Sequence, residues 1–255
     1  MRRFLVLFAL VASAACGRSG APPRTLADGG TVVEFDPGSG ALAEDGSWVE
    51  VHYDARASVP SVSGAAAPDP FDSTVHAEPF PFRVGRSRVL AGFSEGVLGM
   101  REGARRRITL PPQAAYDESG KGRIPPGATL EYDVALEHVF RRTPSGLQYL
   151  EKLPGSGRAP SAGQRVSIRV TGGIVETGRS LLDRKRVGEN YQVTLGTGEA
   201  IPALEEALPM MRKGALWRLG VAPELGFGKQ GRLPLLLPGQ DLLLDVELLE
   251  IHDLR

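Results

Sequence analysis

Two stretches of this chain share an outline: RIPPGATLEYDVAL at Arg123–Leu136 and RLPLLLPGQDLLLDVEL at Arg232–Leu248. Each begins with an arginine, passes through apolar residues and proline, and ends in an alternating run that closes on Asp-Val-x-Leu. Alternation of apolar and polar residues is typical of a half-buried strand. The second stretch lacks an Ile-Pro-Pro and a tyrosine, and it is richer in leucine. The same structural unit therefore occurs twice in the chain, with different side chains in each copy.

The repeat extends over most of the chain. PGSGA at Pro37–Ala41 recurs as PGSGR at Pro154–Arg158, 117 residues later. The pairs that lie 111 apart are Gly85 and Gly196, Leu90 and Ile201, Glu95 and Glu206, Met100 and Met211, Gly103 and Gly214, Ala104 and Ala215, Pro112 and Pro223, and Tyr116 and Phe227. The pairs that lie 112 apart are Leu130 and Leu242, Asp133 and Asp245, and Val134 and Val246. Matches in one register indicate a tandem of two related domains.

The register of the repeat also predicts the domain boundaries. We place the first domain at residues 31–140, a short link at 141–146 and the second domain at 147–253. The first copy is six residues longer between Gly40 and Gly85, because the offset falls there from 117 to 111. The Pro-rich, small-residue stretch Ala57–Pro70 is the candidate for this extra loop.

Within each copy the pattern is mostly that of strands. SWVEVHYDA, ARRRITL and LEYDVALEHV alternate in the first copy, and QRVSIRVTG, ALWRLGV and LLLDVELLEI do so in the second. LAGFSEGVLGM and IPALEEALPMM each predict one short helix of about three turns. Gly103 and Gly214 follow where the end of a helix favours glycine. The predicted fold class is α+β, with an antiparallel sheet and one packed helix in each copy.

The N-terminus has the layout of a secretory signal. MRRFLVLFALVASAAC carries two arginines, an apolar stretch too short to span a bilayer as a helix, and small residues up to Cys16. Cys16, the only cysteine, resembles the acylated residue of a bacterial lipobox, although Ser13 stands where that pattern has leucine. Cleavage after Ala14 would instead leave a soluble secreted protein with a free thiol. We expect export to the periplasmic face of the envelope, a lipid anchor at Cys16 as the sole membrane attachment, and a flexible tether at residues 17–30.

Composition and motifs exclude several other functions. Thirty acidic and thirty basic residues balance, which leaves no field to attract nucleic acid, and no nucleic-acid partner is expected. The four histidines lie far apart, and no phosphate loop or dinucleotide fingerprint occurs, so no metal or cofactor is expected. GFSEG at Gly92–Gly96 fits the pattern of a nucleophile elbow. Its flanks are not a parallel strand, however, and Glu205 replaces Ser94 in the second copy.

A series of aromatic motifs remains: VEVHYDA, PFDST, PFPFRVGRSRVLAGFSEGVLGM, LPPQAAY and GRIPPGATLEYDV. In this order and spacing, the first copy resembles the FKBP-type peptidyl-prolyl cis-trans isomerases. The second copy resembles them through TPSGLQYLEKLPGSG, LGTGEAIPALEEALPMMRKGA, APELGFG and DLLLDVELLEI. The resemblance implies two tandem FKBP-like domains, each a strongly bent antiparallel sheet wrapped on one short helix. A substrate pocket is implied between sheet and helix.

The resemblance also implies which residues form the pocket of the first copy. The implied catalytic residues are Tyr53, Asp72, Tyr116, Ile124 and Tyr132. The Tyr116 hydroxyl and the Ile124 backbone N–H are implied to bind substrate carbonyls, while Asp72 with Tyr53 orders the far wall. The implied apolar walls are Phe71, Phe80, Val89, Leu90 and Phe93, with Phe82 beside them. Phe93 stands where many members of the family have tryptophan.

These residue types suit the chemistry. Rotation about a peptide C–N bond faces a barrier of roughly 18–20 kcal/mol, because resonance must be given up. No covalent bond is made or broken, so neither nucleophile nor metal is required. An apolar pocket favours the twisted, less charge-separated amide over the planar one. A thousandfold acceleration needs only about 4 kcal/mol.

The second copy has lost the polar members of this set. Opposite the pocket residues Tyr53, Phe71, Asp72, Phe93, Tyr116, Ile124 and Tyr132 stand Val170, Leu181, Leu182, Leu204, Phe227, Leu236 and Leu244. Asp183 lies one residue away from the position of the missing carboxylate. We expect the first copy to keep the site and the second to keep only the fold, as a holder of unfolded chains, a dimerisation domain or a spacer. PLLLPG at Pro234–Gly239 is either a contact surface or an insert in the vacated pocket.

Two classes of function follow. The first is a prolyl isomerase that acts on proline-containing segments of exported proteins. The second is a non-catalytic FKBP-like binding or chaperone module of the cell envelope. Tyr53, Asp72, Tyr116 and Tyr132 favour the enzyme, whereas Phe93 and the altered second copy keep the binding module open. The oligomeric state is left open.

Overall fold

The computed structural model describes residues 22–59, 70–86, 89–175, 190–228 and 239–253. They form two compact units, and the chain passes from the first to the second between Val139 and Phe140. The predicted link at residues 141–146 is not a separate linker. Arg141–Arg142 is a strand that pairs with the next strand of the second unit, so the link is a hairpin of that unit.

The first unit is an antiparallel sheet with one short helix. Its elements are β1 Arg24–Thr25, β2 Thr31–Asp36, β3 Trp48–Ser58, β4 Asp72–Ser73, β5 Phe80–Arg83, α1 Ala91–Val97, β6 Arg105–Leu110 and β7 Thr129–Val139, with 3₁₀ turns at Pro112–Ala114 and Asp117–Ser119. The strands lie in the order β1-β2-β6-β7-β3, and both β4 and β5 pair with the free side of β3. The central strand β7 is thus the last strand of the unit in the chain.

The second unit repeats this arrangement. Its elements are β8 Arg141–Arg142, β9 Gln148–Pro154, β10 Arg165–Ile174, β11 Asn190–Thr194, α2 Pro202–Ala207, β12 Ala215–Val221 and β13 Leu242–His252, with 3₁₀ turns at Leu208–Met210 and Pro223–Leu225. The strands lie in the order β11-β10-β13-β12-β9-β8. β13 occupies the position of β7.

The two sheets bend at equivalent places. The pairing of β3 with β7 shifts register between Glu50 and Val51, and that of β10 with β13 shifts between Ser167 and Ile168. Glu50 and Ser167 are 117 residues apart, as the sequence repeat requires. A bulge bends its strand and increases its twist. The shared bulge therefore confirms the predicted tandem of two α+β units at the level of backbone geometry.

Small residues let each helix approach its sheet. A Cβ atom placed on Gly96 would lie only 2.4 Å from Cδ1 of Ile108 on β6, and one on Gly92 would lie 2.5 Å from Cδ2 of Leu110. Ala203 and Ala207 hold the equivalent positions in α2, and both are fully buried. Each helix thus comes closest to the sheet at its smallest side chains.

The PGSG motif of the repeat is a clamp between two loops. Ser39 N–H and Gly40 N–H both donate to the carbonyl of Glu102, at 3.2 Å each. Gly38 has a φ of +63°, and a Cβ there would lie 2.5 Å from the backbone nitrogen of Ala104. Only glycine satisfies both the positive φ and this close approach.

The second unit has the same clamp. Ser156 N–H and Gly157 N–H donate to the carbonyl of Lys213, and Gly155 has a φ of +68°. A Cβ on Gly155 would lie 2.6 Å from the backbone nitrogen of Ala215. The motif recurs in the sequence because the same contact between backbones is needed twice.

The helices are shorter than the sequence predicts. α1 ends at Val97, since Leu98 already has an extended ψ of 130° and Gly99 turns the chain with a φ of +76°. This turn returns the fully buried Met100 to the core. Gly103, which the sequence indicated as a helix end, instead lies in the turn before β6 with a φ of +83°. The predicted three turns were therefore too many.

The predicted tether at residues 17–30 is partly wrong. Arg24–Thr25 pairs with β2, and Leu26 is only 3% exposed. The backbone N–H of Ala27 donates to both carboxylate oxygens of Glu95 on α1, at 3.1 and 3.2 Å. Residues 24–30 thus belong to the first unit. The signal sequence and Cys16 lie outside the described residues, and neither described α-helix is long and apolar enough to cross a membrane.

We predict that Gly96→Ala destabilises the chain by about 1–3 kcal/mol, because the new methyl group overlaps Ile108. Ile108→Val, which removes Cδ1, costs about 0.5–1.5 kcal/mol by itself. The double variant should lose less unfolding free energy than the sum of the two single losses. Chemical denaturation of the wild type, the two single variants and the double variant measures this coupling. Strict additivity would show that the helix does not rest on Ile108.

Candidate active site

The aromatic residues predicted for the first-copy pocket lie together around Phe93 on α1. Its ring centroid is 5.0 Å from Tyr132, 5.5 Å from Phe82 and 5.9 Å from Tyr53. The contacts with Tyr132 and Tyr53 are edge-to-face, the geometry that aromatic quadrupoles favour. Phe93 is 4% exposed and forms the floor of the cluster.

The wall of the cluster continues outward from this floor. Tyr53 meets Phe80 edge-to-face at 6.0 Å, and Phe80 stacks on Phe82 at 6.1 Å. On the other side Phe71 meets Tyr132 at 6.4 Å. The alternation of side chains along β3 explains why Tyr53 reaches this cluster. Tyr53 lies between the fully buried Val51 and Ala55 on one face of β3, which is the face toward the helix.

Ring contacts join six of the predicted pocket residues: Tyr53, Phe71, Phe80, Phe82, Phe93 and Tyr132. Asp72 is exposed at their edge. Val89, Leu90, Tyr116 and Ile124 belong to the same hydrophobic core of the first unit. The structure therefore brings the aromatic part of the predicted set together.

The Tyr53 hydroxyl donates a 2.8 Å hydrogen bond to Oδ2 of Asp72. Pairing of Ala55 with Asp72 places β4 beside β3, and Phe71 N–H donates to the carbonyl of Ala55 at 2.9 Å. These backbone bonds hold the main chain of Asp72 beside β3, within reach of the Tyr53 hydroxyl. This is the polar edge of an otherwise apolar cluster.

Burial raises the pKa of both tyrosines in the cluster. The pKa of Tyr53 is raised by burial first and then by its hydrogen bond to Asp72. The pKa of Tyr132 is raised by burial and then by Tyr116 and Asp72 nearby. An ionised phenol is disfavoured where water is excluded and a carboxylate is close. Both hydroxyls therefore remain hydrogen-bond donors at neutral pH.

Tyr116 offers a further donor at the rim. Nζ of Lys121 lies 5.0 Å from the centre of its ring, a cation–π contact that covers one face. Within the described part of the chain the Tyr116 hydroxyl has no hydrogen-bond partner. A hydroxyl in this state is available to a ligand carbonyl.

The predicted role of the Ile124 N–H does not fit the structure. That N–H donates to the carbonyl of Lys121 at 2.9 Å, and Lys121 N–H donates back to Ile124 at 3.0 Å. A tight turn therefore uses the group that was expected to bind substrate. Ile124 contributes its buried side chain instead.

The sequence-based prediction missed another backbone donor. Leu90 directly precedes α1, and its N–H makes no hydrogen bond to any described residue. The first N–H groups of a helix lack partners within the helix, which is the signal that could have found it. Leu90 packs against the hydrophobic core that contains the aromatic cluster, and α1, which it precedes, carries Phe93.

Arg123 joins the two loops at the mouth of the cluster. Its Nη1 donates to the carbonyl of Phe71 at 3.3 Å, and its Nη2 donates to that of Pro70 at 3.4 Å. The arginine thus connects the turn around Ile124 with the segment that carries Phe71 and Asp72. In the described ranges, no group of three or more histidine, cysteine or acidic residues could hold a metal ion.

A family model for FKBP-type peptidyl-prolyl cis-trans isomerases matches residues 40–137 and, separately, residues 156–249. The two matches together cover more than half of the chain. The chain belongs to this family. Each compact unit of the structure contains one FKBP domain.

Relatives of the chain are longer proteins. Mouse "Peptidyl-prolyl cis-trans isomerase FKBP9" is 30% identical over 175 residues, which are 68% of this chain and 30% of the mouse protein. The "39 kDa FK506-binding nuclear protein" of Drosophila melanogaster is 36% identical over 118 residues, 46% of this chain and 31% of the fly protein. The chain thus spans less than a third of either relative.

Solved structures with FKBP domains also match. The three FKBP domains of wheat FKBP73 align with 91% of this chain and 99% of that one, at 20% identity and a TM-score of 0.47. FkpA from Escherichia coli aligns with 44% of this chain and 51% of that one, at 30% identity and a TM-score of 0.40.

The second FKBP domain retains a cavity where the sequence predicted only a fold. It has a volume of about 310 Å³ and lies at the position that corresponds to the first-domain cluster. Val170, Leu204, Phe227 and Leu244, the residues opposite Tyr53, Phe93, Tyr116 and Tyr132, all line it. Leu204 and Leu244 therefore line the cavity without filling it. Leu181, Leu182, Asp183, Leu236 and residues 234–238 lie outside the described residues.

We predict a pH dependence of stability from Tyr53. Because its pKa in the folded chain is raised above the ordinary value of 10, the folded state binds this proton more tightly than the unfolded state. The associated stability is present below pH 10 and is lost as the pH rises above 10. Chemical denaturation from pH 8 to 11 should therefore show a smaller fall in the free energy of unfolding for Tyr53→Phe than for the wild type. Equal falls would contradict the assignment.

Proposed function

We propose that the first FKBP domain catalyses cis-trans isomerisation of X-Pro peptide bonds. The observation that carries this proposal is the 2.8 Å hydrogen bond between Tyr53 and Asp72 at the edge of a closed aromatic cluster. A carboxylate held in this way presents an oriented dipole to a pocket from which aromatic rings exclude water. The second domain has no such pair among its described cavity residues.

The geometry supports catalysis by differential binding. A planar prolyl amide is charge-separated and is best solvated by water, whereas the twisted amide is less polar. The rings of Tyr53, Phe93 and Tyr132 would therefore favour the twisted state of the bound segment. The protein's part is to exclude water and to orient the segment, and no bond to the protein is formed.

Two unused donors would orient the substrate. The Tyr116 hydroxyl and the Leu90 N–H are without partners in the described structure, and both residues pack against the core that contains the cluster. Each is suited to donate a hydrogen bond to a substrate carbonyl oxygen on one side of the prolyl ring. The Leu90 N–H takes the role that the sequence had assigned to Ile124.

The substrates we propose are proline-containing segments of exported proteins. This part of the proposal rests on residues 1–16, which resemble an export signal ending at a lipobox cysteine. A chain held at the periplasmic face of the envelope would meet polypeptides as they emerge unfolded. Slow prolyl isomerisation limits the folding of such polypeptides.

The alternative is a binding module without turnover. Phe93 in place of a larger tryptophan ring is the feature that favours it, because a smaller floor holds the prolyl ring less tightly. In that case the first domain would bind X-Pro peptides but would not raise their isomerisation rate. Measurement of turnover separates the two functions.

We predict that the full chain accelerates isomerisation of a short Leu-Pro peptide in a protease-coupled assay. Tyr53→Phe with Asp72→Val should lower kcat/KM at least about tenfold, because the pocket loses about 1.4 kcal/mol or more of transition-state stabilisation. Tyr149→Phe removes one hydroxyl from the second domain and is the matched control, expected to retain wild-type kcat/KM. A folded wild type without activity would leave the binding module as the function.

The anchor is tested separately in cells. We predict that the protein incorporates radiolabelled palmitate and sediments with membranes, and that Cys16→Ser abolishes both properties. Unlabelled wild-type protein in the soluble periplasmic fraction would instead support cleavage after Ala14.

A further inference from the structure

The cavity of the second FKBP domain has the chemistry of a binding site for an apolar group. Six branched aliphatic residues and two aromatic ones supply most of its described walls, namely Ile168, Val170, Val193, Ile201, Leu204, Leu244, Tyr191 and Phe227. Glu199 is the one charged residue in its described lining, and its Oε2 already accepts the N–H of Thr194 at 2.9 Å. A charged ligand would therefore lack a counter-ion deep in the cavity.

The size of the cavity limits its occupant. About 310 Å³ lies at the lower end of the range for ligand pockets, which run from about 300 to 1,000 Å³. This volume suits one or two branched aliphatic side chains better than a cofactor. The wall residues keep the cavity apolar without filling it.

An open sheet edge runs along the same cavity. Among the described strands, β11 pairs only with β10, and Tyr191, Gln192 and Val193 of β11 line the cavity. Leu195 N–H donates to the carbonyl of Gln164 at the end of this ladder. Because backbone groups alternate in direction along a strand, those of Val193 and Tyr191 face β10.

The backbone groups of Gln192 and Thr194 then face outward. Thr194 N–H confirms the direction, since it donates to Glu199 and not to β10. Gln192 is exposed, and its outward backbone groups have no described partner. An outward N–H and C=O at the mouth of an apolar cavity form the pattern used when an extended peptide adds a strand to a sheet.

The first domain blocks the same position with proline. Pro81 on β5 pairs with Glu50, as Gln192 on β11 pairs with Ser167, and the two pairs are equivalent in the repeat. Proline has no N–H to donate, and it protects an edge strand from strand addition. The edge is therefore closed beside the isomerase pocket and open beside the second cavity.

We propose that the second FKBP domain binds an extended polypeptide segment by strand addition to β11, with a branched aliphatic side chain in the cavity. The domain holds this segment without isomerising it. Val170 and Leu244 stand where the first domain has Tyr53 and Tyr132, so the described walls lack the hydroxyls of the polar edge that is proposed to orient a prolyl amide. This function goes beyond the proposed isomerase activity and does not require proline in the bound segment.

The test uses the full chain and a fluorescent nine-residue peptide of serine and threonine with one central leucine and no proline. Fluorescence anisotropy should show binding to the wild type. The same peptide with serine in place of leucine should bind at least tenfold more weakly. Since the peptide has no X-Pro bond, failure of the isomerase proposal would not affect this measurement.

Two pairs of matched variants locate the site. Gln192→Pro copies the closed edge of the first domain, while Gln192→Ala keeps the N–H, so the proline variant should bind the peptide at least tenfold more weakly than the alanine variant. Ala200→Leu adds volume inside the cavity and should also weaken binding. Ala159→Leu adds the same volume at an exposed position of the same unit and should not.

A change in the peptide alone guards against misfolded variants. N-methylation of the amide next to leucine removes a main-chain donor and should weaken binding to the wild type about as much as Gln192→Pro does. Equal binding of Gln192→Pro and Gln192→Ala would overturn the proposal. So would loss of binding in Tyr53→Phe/Asp72→Val, or equally tight binding of N-acetyl-leucine amide, which cannot form a strand.

Discussion

Close contact between a very short helix and a bent sheet is the constraint on which both domains depend. Gly92 and Gly96 allow α1 to approach Ile108, and Ala203 and Ala207 do the same for α2. A helix of seven or six residues has little stability of its own, so packing must supply it. The smallest residues make the close contact, and the larger Phe93 of α1 is left to meet the rings of Tyr53 and Tyr132 on the sheet, where the aromatic cluster forms.

This division explains how one frame carries two chemistries. The frame needs the glycine clamp, the bulge and the small helix face, and all of them recur in both copies. The pocket side is free to change, so Tyr53 and Tyr132 can become valine and leucine without altering a strand. The edge strands differ as well. Phe80-Pro81 of the first domain corresponds to Tyr191-Gln192 of the second, and proline closes an edge that glutamine leaves open. The second domain thus lacks the Tyr53–Asp72 pair and instead has an open edge at β11.

The sequence predicted most of the fold and less of the site. The strands β6 and β12 have nearly the predicted ends, because alternation and the following turns are local signals. The predicted helix end was wrong, since Gly99 and not Gly103 makes the turn that follows α1, and periodicity cannot choose between two glycines. The donor role of Ile124 was wrong because a turn consumes its N–H. The cavity of the second domain was not predicted, because its volume depends on the distances between the sheet and the helix and not on residue types alone.

The order of the strands has a consequence for how the protein is made. β7 and β13 are central in their sheets, yet each is the last strand of its domain to leave a ribosome or a translocation channel. Until β7 emerges, the strand that lies between β3 and β6 is missing, and the same holds for β13 between β10 and β12. An incomplete domain therefore exposes its apolar face. Each domain must therefore complete its sheet in one late step, with most pairings distant in sequence. A protein that is proposed to act on unfolded chains therefore itself exposes apolar surface during its own synthesis.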